Sequence, residues 1–221
     1  MRMIMYFIGD IHGAFNWYLA KGIKAASSSI QLGDFGWGFP PEKNKRGKVL
    51  AESLMSKDLE SIPAMPQHKF LCGNHDDRKF VANHPNYVGD YGYDENSGIF
   101  YISGAFSIDF ERRTIGIDWW DYEQLKYKAL LKMIEMFADI KPRIVVSHEC
   151  PSTAQYTLFP RSTKRHWQTT TQFALECAFD KWQPERWYFG HYHLTKHADI
   201  GKTRFQCVGI NQRVELKGVD W

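Results

Sequence analysis

The sequence predicts a mixed α/β fold built around central sheets. Five short apolar runs, rich in branched and aromatic residues, are typical of strands buried on both faces. They lie at residues 3–8, 29–32, 69–71, 143–146 and 187–189. Three longer segments carry apolar residues at helical spacing and therefore predict helices. These segments are residues 49–62, 122–140 and 169–182.

The rest of the chain predicts further strands joined by loops. Residues 99–103 and 114–117 alternate in polarity on either side of a turn near 110–113, which predicts a hairpin. Residues 203–208 and 213–216 predict two more strands. The stretches 36–48, 83–98 and 151–170 are polar and rich in turn-forming residues, which is typical of loops. With 221 residues, no repeat and no long linker, the chain predicts a single domain spanning 1–221.

Composition excludes several classes of protein. Hydrophobic residues make up 43% and charged residues 24%, which excludes a disordered or collagen-like chain. No apolar run approaches the ~18 residues of a membrane span. The formal net charge of +3 is too small to indicate nucleic-acid binding by itself. The four cysteines lack C-x-x-C spacing and the start lacks the pattern of a secretory signal, so we expect reduced thiols in a cytoplasmic protein.

Polar residues follow each of the five buried runs at once, usually after a glycine. The sequences there are Gly9-Asp10-Ile11-His12, Gly33-Asp34, Gly73-Asn74-His75-Asp76, Ser147-His148 and Gly190-His191-Tyr192-His193. Because the carboxyl ends of parallel strands share one edge of a sheet, we expect these side chains to converge there.

Imidazole, carboxylate and amide groups together form a ligand set for divalent transition metals. Seven such groups are available, with His75 as an eighth: Asp10, His12, Asp34, Asn74, His148, His191 and His193. A tetrahedral ion uses about four ligands, so seven suit two ions if one carboxylate bridges them. Two ions ~3.5–4 Å apart can clamp the attacking and leaving oxygens of a displacement at phosphorus.

In this order, the five motifs resemble those of the calcineurin-like metallophosphoesterase superfamily. They span residues 9 to 193, nearly the whole chain. The resemblance implies two packed β-sheets flanked by helices, an α/β/β/α sandwich. It also implies hydrolysis of a phosphate mono- or diester by a hydroxide held between two divalent ions, with a nucleotide-like substrate as one candidate. Mn²⁺ is the leading metal, and Fe, Zn²⁺ and Ni²⁺ accept the same ligand types.

The resemblance also implies a role for each residue of the motifs. The first ion takes Asp10, His12, Asp34 and His193, and the second takes Asp34, Asn74, His148 and His191, with Asp34 as the bridge. His75 protonates the leaving oxygen, and Asp76 orients or tunes His75.

The second motif departs from that of the protein Ser/Thr phosphatases, which read Gly-Asp-x-x-Asp-Arg-Gly there. This chain has Gly33-Asp34-Phe35-Gly36-Trp37-Gly38, without the second Asp and the Arg. The phosphate-binding arginine must then come from elsewhere, and the candidates are Arg78, Arg112 and Arg113. A weaker similarity to bacterial and phage members covers residues 104–123.

Three other functions stay open at this point. The first is an inactive scaffold of the same fold that binds a partner protein, and the second is a protein Ser/Thr phosphatase. The third is a nucleic-acid-processing enzyme that uses the basic stretch 161–167, for which a solvated loop is the simpler interpretation. The sequence does not determine the substrate, the native metal or the oligomeric state.

Overall fold

The strands lie in two sheets. A computed structural model describes residues 4–38, 65–160 and 169–216. The strands are β1 Met5–Ile8, β2 Ser28–Gln31, β3 His68–Phe70, β4 Tyr91–Asp94, β5 Ile99–Ile102, β6 Ile144–Ser147, β7 Arg186–Phe189, β8 Lys196–Ile200, β9 Thr203–Cys207 and β10 Arg213–Glu215. The first sheet has the order β10-β1-β2-β3, and the second has the order β4-β5-β6-β7-β9-β8.

The strands that carry the motifs run parallel to one another within each sheet. In the first sheet β1, β2 and β3 are parallel, with Tyr6 opposite Ser29 and Ile30 opposite Lys69. In the second sheet β5, β6, β7 and β9 are parallel. The carboxyl ends of β1, β2, β3, β6 and β7 therefore come together at one edge of the fold.

Helices cover the outer faces of both sheets. They are α1 Phe15–Trp17, α2 Arg78–Val81, α3 Tyr127–Ile140, α4 Ser152–Leu158 and α5 Thr170–Lys181. A π-helical turn at Tyr18–Gly22 extends α1, and a 3₁₀ turn covers Phe110–Arg112. Two caps fit the sequence, because the side chains of Asp77 and Thr169 accept backbone N–H groups at the starts of α2 and α5.

Three apolar clusters give the layers of the fold. One lies between the sheets and joins Phe7 and Leu32 to Val146 and Tyr188. Another packs α3, α4 and α5 on the second sheet, and the third packs α1 and its π-helical extension on the first. The fold is thus two packed sheets flanked by helices, and the predicted α/β/β/α class is confirmed.

The five buried strands and the two C-terminal strands are confirmed to within two residues. The helix predicted at 169–182 is confirmed as α5. The helix predicted at 122–140 begins five residues later, at Tyr127, because residues 121–124 form a turn in which Glu123 hydrogen-bonds Ser107. The helix predicted at 49–62 lies outside the described residues.

The predicted hairpin is wrong. β5 pairs with β4 on one side and β6 on the other, and residues 114–117 form a turn. Ile115 and Ile117 are 62% and 55% exposed, so their alternation with polar residues does not mark a buried strand face.

Several elements lie where loops or no regular structure was predicted: α1 with its π-helical extension, α2, β4 within 83–98, α4 within 151–170, and β8. β4 and β8 are the two edge strands of the second sheet and are partly exposed, so neither shows a continuous apolar run. All four cysteines are free thiols, as predicted. Within the described ranges, every helix is too short or too polar to cross a bilayer.

Candidate metal centre

The predicted ligands meet at the shared edge of the two sheets. Four of them have a backbone in the left-handed region: His12 (φ 43°), Asp34 (φ 55°), His191 (φ 67°) and His193 (φ 58°). That conformation costs a residue with a side chain about 1–2 kcal/mol. Such strain persists where the surrounding structure imposes it, and it is common at functional sites.

The first cluster consists of Asp10, His12, Asp34 and His193, whose ligand atoms all lie within 4.8 Å of one another. The Nε2 atoms of His12 and His193 are 2.9 Å apart. Asp10 Oδ2 is buried, accepts no hydrogen bond of ordinary geometry, and lies 3.2 Å from His193 Nε2. A buried carboxylate oxygen facing two imidazole nitrogens is the arrangement that a cation would satisfy.

The second cluster consists of Asp34, His148 and His191. His148 Nδ1 donates to the Leu32 carbonyl (2.7 Å), which directs Nε2 toward Asp34 Oδ1 at 3.3 Å. Histidines that bind metals commonly use their other ring nitrogen in this way. Asn74 Oδ1 lies 3.2 Å from the same Nε2 atom, so the amide oxygen joins the cluster. Asp34 belongs to both clusters, which fits its predicted position as the bridge.

Two glycines show how closely the backbone approaches these ligands. A Cβ atom on Gly73 would lie 2.6 Å from His148 Nε2 and would overlap Asp34 Oδ1. A Cβ atom on Gly190 would overlap Asp10 Oδ1. The donor set and this close packing both fit a pair of divalent cations.

Opposite charges shift the pKa values of the cluster. Burial lowers the pKa of His148, but Asp34 and Asp10 outweigh burial and raise it to about 10. Burial raises the pKa of Asp34, and the neighbouring imidazoles more than reverse this, so its pKa lies well below the usual range. The Asp10 carboxylate, close to Nε2, raises the pKa of His193. The cluster therefore holds Asp34 as a carboxylate that attracts cations.

Asp76 is held by backbone hydrogen bonds, and its predicted task of orienting or tuning His75 stays a prediction. Its two oxygens accept four backbone N–H groups, from Phe35, Gly36, Trp37 and Gly73, at 2.7 to 3.1 Å. The carboxylate thus ties the loop after β2 to the loop after β3. Both loops carry ligands, so Asp76 fixes the spacing between Asp34 and Asn74.

His75 faces the site next to Arg113. Its backbone N–H donates to Asp34 Oδ1 (2.8 Å), and Arg113 Nη2 donates to its Nε2 atom (2.9 Å). Arg113 is held in turn by Asp109, at 2.8 Å from Nε to Oδ1. Burial lowers the pKa of His75 to about 4, with Asp34 opposing the shift. In this arrangement the ring is neutral, with its hydrogen on Nδ1.

The three candidate arginines differ in their surroundings. Arg112 and Arg113 line the cavity over the clusters. Arg78 does not: its Nη2 atom donates to the Glu123 carbonyl (2.9 Å), and its Nε atom lies 3.3 Å from Asp90. These contacts occupy the Arg78 guanidinium, and binding of substrate phosphate by Arg78 stays a prediction.

A cavity of about 1110 Å³ opens over the clusters. Asp34, Asn74, His75, His191 and His193 form part of its lining. Its other described walls are largely aromatic and polar: Phe106, Phe110, Phe159, Tyr192, Gln155, Gln172 and Lys196. Phe159 stacks on Tyr192 with ring centroids 4.4 Å apart, and Gln172 donates to the Tyr192 hydroxyl.

Three buried residues lie next to the ligands but outside the predicted set of site residues: Ser107, Glu123 and Glu149. Glu149 directly follows His148, and its Oε2 atom lies 3.6 Å from His191 Nε2. Ser107 lies in the stretch with the weaker similarity, which was the available signal for it. Glu123 is the last residue of that stretch and also fell within the helix predicted at 122–140. The basic stretch 161–167 lies outside the described residues, so nucleic-acid binding stays a prediction.

Comparisons with known proteins give structural similarities only. No protein-family model matches the chain, and no curated protein matches it in sequence. A Thermus thermophilus protein of known structure is 12% identical, with 96% of this chain and 91% of that chain covered and a TM-score of 0.48. The phosphopantetheinyl hydrolase of Mycobacterium tuberculosis is 13% identical, with 94% and 90% covered and a TM-score of 0.46. A Streptococcus pneumoniae protein described as a predicted phosphoesterase is 13% identical, with 98% and 85% covered and a TM-score of 0.38.

Proposed function

We propose that this chain is a metal-dependent phosphoesterase that hydrolyses a phosphate mono- or diester at a pair of divalent cations. The main support is Asp34, a buried carboxylate shared by two clusters of ligands. Asp10, His12 and His193 would complete the first cation site. Asn74, His148 and His191 would complete the second.

The ligand types limit the choice of cation. Imidazole, carboxylate and amide groups suit Mn²⁺, Fe, Zn²⁺ or Ni²⁺, and Mn²⁺ is our first choice for experiments. When bound, such cations polarise phosphoryl oxygens and lower the pKa of water from 15.7 to about 7.

The chain's own residues would then position the ester. Arg112 and Arg113 lie on the cavity wall, where a guanidinium can bind phosphate oxygens in pairs. The predicted task of His75 is to protonate the leaving oxygen, and Nε2 is the ring nitrogen in contact with Arg113. Arg113 now occupies that nitrogen, so this task requires Arg113 to turn toward the substrate phosphate.

The cavity favours a substrate with a substantial organic group. Its volume of about 1110 Å³ slightly exceeds that of typical ligand pockets, which measure roughly 300–1000 Å³. Aromatic and amide side chains line it beside the clusters, which suits a diester or a nucleotide-like monoester better than a bare phosphoryl group.

The test is the initial rate on bis- and mono-p-nitrophenyl phosphate with added Mn²⁺. Asp34→Asn should abolish turnover, because both cation sites lose their shared carboxylate. His75→Ala should slow it about 10²- to 10⁴-fold, the usual contribution of a general acid. Asp199→Asn and His197→Ala, on the exposed strand β8, are the matched controls. Equal rates in all five proteins would refute the proposal.

Metal content separates this proposal from an inactive scaffold. Protein purified without chelator, or reloaded with Mn²⁺, should hold close to two ions per chain. A content near zero that added Mn²⁺ does not raise would favour the scaffold.

A further inference from the structure

Residues 104–123, between β5 and the start of α3, supply partners to the loop after β3. We propose that Glu123 and Ser107 are positioning residues that set which atom of the Asn74 side chain faces the second cation. The inference rests on the proposed function, because it concerns a ligand of that site.

The three side chains form a buried chain of hydrogen bonds. Glu123 Oε1 accepts the backbone N–H of Ser107 (2.6 Å), and Glu123 Oε2 accepts the Ser107 hydroxyl (2.7 Å). The Ser107 Oγ atom in turn accepts from Asn74 Nδ2 (3.1 Å). All three residues are at most 3% exposed, so water does not compete for these groups.

The direction of these hydrogen bonds follows from Glu123. A carboxylate can only accept hydrogen bonds, so the Ser107 hydroxyl hydrogen must point to Glu123. Ser107 Oγ then has only lone pairs to offer Asn74, and these take the amide N–H. The Asn74 oxygen is thereby left on the opposite side, 3.2 Å from His148 Nε2.

This direction matters because the two ends of a carboxamide have nearly the same shape. A cation binds the oxygen, and the NH₂ end cannot replace it. A serine hydroxyl alone permits both orientations of Asn74, because it can donate or accept. The buried carboxylate of Glu123 removes that choice.

Glu123→Gln is the most direct perturbation. The new amide offers one acceptor and one donor where Ser107 requires two acceptors. If the amide oxygen keeps the Ser107 N–H, the new NH₂ group donates to Oγ, and the hydroxyl hydrogen turns toward Asn74. The Asn74 oxygen then faces Ser107, and its NH₂ group faces the second cation site.

The measurement is calorimetric titration of the metal-free protein with Mn²⁺, with electron paramagnetic resonance of the loaded protein. Wild type should bind two equivalents and show the spectrum of a coupled ion pair. Glu123→Gln should keep the Mn²⁺ affinity of the first site and lower that of the second site at least tenfold. A loss of ~10–100-fold is typical when a residue that supports a metal ligand is changed. The spectrum of this variant should be that of a single ion. Ser107→Ala should weaken the second site less, because it frees the amide without reversing it.

Ser29→Ala is the matched control. Ser29 is also buried, and its substitution removes side-chain hydrogen bonds to His68 and Tyr18 in the first half of β2, away from the carboxyl end that carries Asp34. It should leave both Mn²⁺ affinities unchanged. If Glu123→Gln does not fold, Ser107→Ala alone carries the test, because it removes only one hydroxyl.

A rescue variant gives a result that a merely structural role would not produce. Aspartate at position 74 presents an oxygen on both sides. Asn74→Asp should therefore restore the Mn²⁺ affinity of the second site in the Glu123→Gln protein. The same substitution should change that affinity by a smaller factor in the wild type, where the new carboxylate would face the lone pairs of Ser107.

Two outcomes are decisive. Unchanged second-site affinity in both Glu123→Gln and Ser107→Ala, with wild type binding two ions, would overturn this inference and leave the proposed function intact. Fewer than two equivalents in the wild type would overturn the proposed function, and this inference with it.

Discussion

Gly73→Ala tests how closely the backbone must approach the ligands. The added Cβ atom would lie 2.5 Å from the Asp34 backbone nitrogen and 2.6 Å from His148 Nε2, whereas ordinary Cβ contacts are 3.4–4 Å. The neighbours must therefore move by about 1 Å. Overpacking of this kind costs about 1–3 kcal/mol. For a chain of this size, that lowers the melting temperature by roughly 2–12 °C.

The same shift should weaken the second cation site more than the first. Asp34 belongs to both sites, but the second site also contains His148, which the added Cβ displaces as well. Titration of the metal-free protein with Mn²⁺ should show the second equivalent at least tenfold weaker and the first equivalent weakened by a smaller factor.

Gly98→Ala is the control for stability alone. Gly98 lies in the turn between β4 and β5 with φ +63°, where alanine costs about 1–2 kcal/mol. Its added Cβ atom would lie 3.8 Å from the Tyr93 hydroxyl oxygen, an ordinary contact. It should lower the melting temperature similarly and leave Mn²⁺ binding intact. A Gly73→Ala protein that binds two ions with wild-type affinity would refute the steric reasoning.

Three further predictions follow from the surroundings of single residues. Arg112→Ala should raise KM for the diester about fivefold, because an exposed charge contact contributes about 1 kcal/mol. Arg78→Ala should leave KM unchanged in the same rate assay. Chelation should lower the melting temperature, because Asp10 and Asp34 lose their cations, and added Mn²⁺ should restore it. Burial lowers the pKa of His68 below 6.5 in the folded protein. As pH falls, His68 is therefore protonated in the unfolded protein before it is protonated in the folded one. The stability that neutral His68 contributes is lost as pH falls below 6.5. The gap in unfolding free energy between metal-free wild type and His68→Gln should therefore shrink between pH 7.5 and 5.5, and a constant gap would contradict this.

The parallel strands and their polar ends were predictable because burial leaves a direct mark on the sequence. A strand covered on both faces is typically a near-continuous apolar run, although β2 also buries Ser29 and Gln31. The first polar residue after each run then lies at the carboxyl edge of a sheet. This pattern gave the locations of Asp10, Asp34, Asn74, His148 and His191 without any knowledge of contacts.

Edge strands and loops have less distinct sequence patterns than buried strands. β8 has the sequence Lys-His-Ala-Asp-Ile and is largely exposed, so it looks like a loop. Residues 114–117 alternate as a strand does, although their isoleucines face solvent. Local pattern cannot distinguish these cases, because exposure depends on which other elements lie nearby.

The sequence by itself determined which chemical groups this chain brings to the edge of its sheets, since hydrophobic burial fixes where each strand stops. Only the tertiary structure decided what the neighbouring polar groups do. Asp76 ties two loops together, Arg78 turns away toward Glu123 and Asp90, and Arg113 holds His75. The reason is that a hydrogen bond in a loop joins residues far apart in the chain, such as Asn74 and Ser107. A third distant residue, Glu123, sets the direction of that hydrogen bond.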